Sequence, residues 1–158
     1  MAERRRVRLE LDFAAPPELL ERLGARPEWI ERVVEATLDH LDAGRPLLSI
    51  ALVDDRQSGE FHGLSHGDPQ PTDVISVELG SGPGPLGEVV VNAQMAERVA
   101  GERGVAPARE LALYLVHGLL HLFGHDDQDQ AGRAAMRRAE RAVLDRLGFA
   151  ADLLPHDE

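Results

Sequence analysis

The chain has 158 residues, 43% of them hydrophobic and 28% charged, the balance of a soluble globular protein that buries its core without disulfides. It contains no cysteine, which excludes thiolate metal sites and disulfide frameworks, and no apolar run approaches the length of a membrane span. A net charge of −11 argues against a protein that coats nucleic acid by bulk electrostatics, but leaves room for a local basic patch.

In chain order, "RVRLELDF" alternates as a strand, with Val7, Leu9, Leu11 and Phe13 on one face. "APPELLERLGARP" reads as turn-rich, and "EWIERVVEATLDHLDAG" as an amphipathic helix ended by Gly44. "PLLSIALVDD" is a second strand, and "RQSGEFHGLSHG" a short helical segment interrupted by glycine. "TDVISVEL" and "GEVVVNAQ" are the third and fourth strands, with "GSGPGPL" between them and Asn92 capping a helix through Met95 and Val99. Pro107 opens "PARELALYLVHGLLHLFG", apolar nearly all round and therefore buried, with Gly124 as its stop. A last helix is expected over residues 128–147, followed by a frayed acidic tail, "LLPHDE". The order predicts an α+β fold: one domain, residues 1–158, with a mixed four-stranded sheet covered by about five helices.

"HGLLHLFGHDD", residues 117–127, carries the chemistry. His117 and His121 stand at i and i+4, on one helical face, the geometry by which two ring nitrogens reach one metal ion. Two unpaired imidazoles in so apolar a helix would be costly to bury, and the alternative is a hydrogen-bonded structural pair. A catalytic zinc site wants a third protein ligand and an open position, and His125, Asp126 and Asp127 are the candidates. His125 would lie about 12 Å from His117 along a continued helix axis. Asp127, three residues past the glycine, has the better spacing to return to the metal; His125 is the fallback. Gly118 occupies the place of the glutamate in H-E-x-x-H, which disfavours a peptidase or small-molecule hydrolase that uses that base.

All seventeen basic residues are arginine. Arg4, Arg5, Arg6 and Arg8 cluster at the start, and Arg133, Arg137, Arg138 and Arg141 lie at helical spacing near the end. Each cluster fits a solvated face, and arginine's planar fork also fits phosphate.

The stretch resembles the signature HGxLHLxGxDH of the YbeY family, bacterial zinc-dependent endoribonucleases implicated in ribosomal RNA maturation. His117, Gly118, Leu120, His121, Leu122, Gly124 and Asp126 match it without a gap, and Met136 falls where the family commonly has methionine. "PTDVISV" resembles the family's PTDVLSF segment and "LGEVVVN" its LGDIVI strand. The resemblance implies one zinc ion, an RNA substrate, ribosomal partners and a cytoplasmic location, with no membrane association.

Two departures stand out. Asp127 occupies the position of the family's third histidine ligand. A carboxylate is a chemically sound zinc ligand, but it lowers the formal charge of the site and makes other divalent metals more acceptable. The family usually has a tyrosine–arginine pair five to six residues before the proline of its PTD segment; Ser65 and His66 stand there. His66 is thus the expected catalytic group, binding phosphate or moving a proton, against the alternative of a solvent-exposed loop histidine. His62 falls where the family often has asparagine, while His40 and His156 read as surface residues. The resulting expectation is a metal-dependent endoribonuclease cutting single-stranded ribosomal RNA, with His117, His121 and Asp127 as ligands. The alternative is a non-catalytic ribosome assembly factor with a structural metal.

Overall fold

In the computed structural model, residues 6–149 are described. Arg4, Arg5, His156 and the acidic tail lie outside them. Alternating side chains make β1 (Arg8–Phe13), whose apolar residues face inward while Arg8, Glu10 and Asp12 face water. Two helices follow, α1 (Pro17–Leu23) and α2 (Pro27–Leu41), then β2 (Leu47–Val53) and α3 (Asp55–His66). β3 (Val74–Glu78) and β4 (Gly87–Asn92) precede α4 (Ala93–Arg103), α5 (Pro107–Leu122) and α6 (Gln130–Arg146).

The four strands form one mixed sheet in the order β1-β2-β4-β3. β1, β2 and β4 run parallel, and β3 is an antiparallel edge strand on β4. One sheet face, including Leu48, Ile50, Leu52, Val89 and Val91, packs into the main core with residues from α1, α2, α4, α5 and α6. The other face, with Ala51, Val53, Ile75 and Val90, is covered by a smaller cluster to which Phe61 of α3 contributes. This is the expected α+β arrangement.

Six helices cover the sheet among the described residues, one more than expected. The additional one is α1, within the segment read as turns. Pro16 and Pro17 sit at its N-cap and first helical position, where a missing N–H costs nothing, and Gly24 closes it in a left-handed conformation. Leu19, Leu20 and Leu23 are its buried face. α2 ends at Asp42, with φ of 51°, two residues before the glycine expected to stop it. No helix among the described residues is long and apolar enough to cross a membrane.

Candidate metal centre and cleft

From Arg109 to Leu122, every residue of α5 is buried except His117 and His121. The helix is wedged against the sheet and four neighbouring helices, so its i, i+4 histidine stripe is the one strip of this segment that reaches the surface. Gly118 permits that wedge. A Cβ there would stand 2.6 Å from Val74 Cγ2 and 2.7 Å from Val89 Cγ1, and Ser76 Oγ donates to the Gly118 carbonyl at 2.6 Å. The absent glutamate of the peptidase motif therefore has a packing cause: no side chain fits between α5 and the sheet.

Both imidazoles are held by their Nδ1 atoms. His117 Nδ1 lies 2.6 Å from Glu140 Oε2, and His121 Nδ1 lies 3.1 Å from the His125 carbonyl oxygen. A carboxylate and a carbonyl accept, so the ring proton sits on Nδ1 in each case. With the proton there, the neutral form of either ring has its lone pair on Nε2, the form that binds a metal. Burial pulls the His117 pKa down, but the Glu140 hydrogen bond and the charges of Glu140, Asp73 and Asp127 hold it above the ordinary histidine value.

Gly124, with φ of 102°, ends the helical path, and the chain turns back through residues 125–129 to the N-cap of α6. The turn brings Asp127 Oδ2 to 3.8 Å from His117 Nε2. His117, His121 and Asp127 line one small cavity of about 200 Å³, together with Asp73 and Ser76. A wider cavity of about 540 Å³ shares Asp73, His117 and Asp127 and extends between α4, α5 and α6 past Arg103, Glu110, Met136 and Arg137. The PTD loop forms its rim. Ser58 of α3 pins that loop, donating to the Thr72 carbonyl and accepting from the Thr72 amide, both at 3.0 Å.

The donor set suits a divalent ion: two Nε2 lone pairs and one carboxylate on a common cavity. Two donors on one tetrahedral zinc would stand roughly 3.4 Å apart, given bonds of about 2.0–2.2 Å. The 3.8 Å between His117 and Asp127 is slightly wider, and among the described residues no three such side chains are drawn tightly enough to coordinate a common point.

The remaining sequence candidates fall elsewhere. His125 lines neither cavity and contributes its carbonyl to His121 instead. His66, at the C-terminal end of α3, is exposed and also lines neither cavity. Its Nδ1 is 2.6 Å from Ser65 Oγ, and its ring is 5.1 Å from that of His62, whose own Nδ1 reaches the Gln70 carbonyl. His40 is exposed.

Sequence reasoning missed Glu140, the partner of His117. Its signal was available: Met136, Ala139, Val143 and Leu144 form the buried stripe of α6, and Glu140 is a carboxylate set within it. It missed Glu110 as well, fully buried in the first turn of α5 and bound by Arg103 at 3.2 Å. Burial raises the pKa of Glu110, against the opposing charges of Arg103 and Arg109.

A family model described as Endoribonuclease YbeY matches residues 23–148, well over half of the chain. The chain belongs to the YbeY family. It is 37% identical over 152 residues to a protein named endoribonuclease YbeY from Halorhodospira halophila, covering 89% of this chain and 93% of that relative. A YbeY relative from Pelotomaculum thermopropionicum is 42% identical over 114 residues, covering 65% of this chain and 72% of the relative. Against a YbeY from Myxococcus xanthus the identity is 38% over 128 residues, and the match spans 44% of that longer protein. The solution structure of a protein from Thermotoga maritima superposes with a TM-score of 0.56 at 21% identity, covering 96% of this YbeY chain and 99% of that one, a likeness of fold.

Proposed function

We propose that this YbeY protein is a metal-dependent, single-strand-specific endoribonuclease that acts in small-subunit ribosomal RNA maturation and ribosome quality control in the cytoplasm. The observation that carries the reading is the pair of imidazoles presenting Nε2 to the cavity that Asp127 also lines, in a member of a family whose relatives are named endoribonucleases. His117, His121 and Asp127 would hold one zinc ion, or another divalent metal. Bound there, the ion supplies Lewis-acid polarisation of a phosphodiester and activation of water.

The chain's own residues do the rest. Glu140 and the His125 carbonyl fix both ring orientations, so the donor nitrogens need no reorientation when the site fills. Asp73, its carboxylate held by the Val74 amide at 2.7 Å, lines the same cavity. The wider cavity, lined from the PTD loop to Arg137, is where the substrate strand would lie. His66 is assigned phosphate neutralisation or proton transfer on substrate that continues past the PTD loop.

The test uses purified protein with matched single-stranded and duplex RNA. Cleavage of the single strand alone, lost in His117→Ala and after chelation, is the expected result. An unchanged kcat/KM in His66→Ala would remove that residue from the reaction. The exposed position of His66, away from the cleft, favours a second reading, a ribosome assembly factor with a structural metal. Retained metal without any cleavage selects it.

A further inference from the structure

Two of the four arginines at helical spacing on α6 reach the wider cavity, and neither is neutralised by a carboxylate there. Arg137 is half-buried on its wall and has no hydrogen bond or ion pair among the described residues. Arg133, one turn earlier, lines the same wall and donates from Nη1 to the carbonyl oxygens of Asp127 at 3.4 Å and Gln128 at 3.3 Å. Those acceptors are neutral, so the guanidinium keeps its charge. Arg138 and Arg141 do not line the cavity, and Arg103, which does, is paired with Glu110.

The carboxylates of the cleft are unevenly committed. Glu110 is bound to Arg103 and Glu140 to His117, which leaves Asp73 and Asp127 beside the histidines. Positive charge not paired with a carboxylate is therefore concentrated on the α6 wall. A chain of net charge −11 attracts no polyanion over its whole surface, so any phosphate it holds must be held locally. A half-buried guanidinium with no partner carries a desolvation cost that an anion accepting through two oxygens, such as the non-bridging pair of a phosphodiester, would offset.

We propose that Arg137, together with Arg133, binds a phosphodiester of single-stranded RNA flanking the one that lies against His117 and Asp127. The assignment rests on the endoribonuclease reading. Arg137 is the principal contact, because its fork is uncommitted. Arg133 contributes charge while bracing the loop that carries Asp127.

The experiment measures binding of a fluorescent, single-stranded 2′-O-methyl oligoribonucleotide by anisotropy, with the zinc-loaded and the metal-free full chain, across a salt series. Arg137→Ala is expected to weaken binding about five- to tenfold and to reduce the slope of log affinity against log salt by about 0.7, the share of one single-strand phosphate contact. Arg137→Lys should keep the slope, and Arg133→Ala should show a smaller loss. An Arg137→Ala protein that binds like the parent overturns the proposal, as does a weaker one with an unchanged salt slope, whose loss would be structural. A parent protein that cleaves RNA while Arg137→Ala is indistinguishable from it overturns this assignment alone. A parent that neither binds nor cleaves overturns the endoribonuclease reading and this proposal with it.

Discussion

Glu140 reaches His117 across 23 residues of sequence and is only 3% exposed at its side chain. A carboxylate behind a ligating imidazole fixes its orientation and raises its basicity, and losing such a partner typically weakens metal affinity about 10–100-fold. Glu140→Gln keeps the shape and removes the charge, so zinc affinity measured by chelator competition should fall within that range; unchanged affinity would mean the bond is only structural. Asp127→Ala tests the third donor directly. Elemental analysis of the purified variant should find less than one bound ion, and full occupancy would pass the role to another residue. Gly118 makes a third prediction. The contacts at 2.6 and 2.7 Å that a Cβ would meet are with β-branched side chains of limited freedom. Gly118→Ala should cost about 1–3 kcal/mol in urea unfolding, as overpacked cores do.

Among the elements, α3 is fastened at its first turn. Asp55 accepts from Arg98 at 2.8 Å and from Asn92 Nδ2 at 2.9 Å, joining α3 to the start of α4. The Arg98 hydrogen bond, assisted by Asn92, holds the Asp55 pKa below the ordinary carboxylate value despite partial burial. A lowered folded-state pKa stabilises the fold above the unfolded value, about 3.9, and that contribution disappears as pH falls through the folded value. Asp55→Asn should therefore be less stable than the parent near neutrality, and the gap should close below about pH 4. A gap constant with pH would assign the effect to something other than charge. Strands and long helices were legible in the sequence because burial repeats every two residues in one and every three to four in the other. α1 was not, because proline and glycine mark turns and helix ends alike, and only the burial of Leu19, Leu20 and Leu23 decides between them. The histidine pair was legible because its spacing is local. Glu140 was not, since nothing within α6 alone says which ring stands across from it.

For the whole molecule, one main core joins one face of the sheet to five of the six helices, so the described residues are expected to unfold in a single cooperative transition. Zinc that binds only the folded chain should raise the midpoint in proportion to the logarithm of its free concentration. Two separated transitions in calorimetry would contradict the shared core, and a midpoint indifferent to zinc would contradict the site. That cavities and ligand candidates gather on one side of α5 also follows from the architecture. The sheet takes one flank of the helix, and α2, α4 and α6 crowd the others, leaving only the histidine stripe open.

The bond between His117 and Glu140 also sets an order in time. During synthesis the four strands and α5 leave the ribosome before α6, and domains take shape as their segments emerge. Until Glu140 has followed, His117 has no carboxylate to fix its ring, and the loop with Asp127 has no helix to anchor it. A chain stalled before residue 140 lacks both the α6 part of the shared core and the carboxylate that orients His117, so its cleft stays unfinished. The group that orients His117 is thus among the last to be added, and the donor set is assembled only once the final described helix has docked.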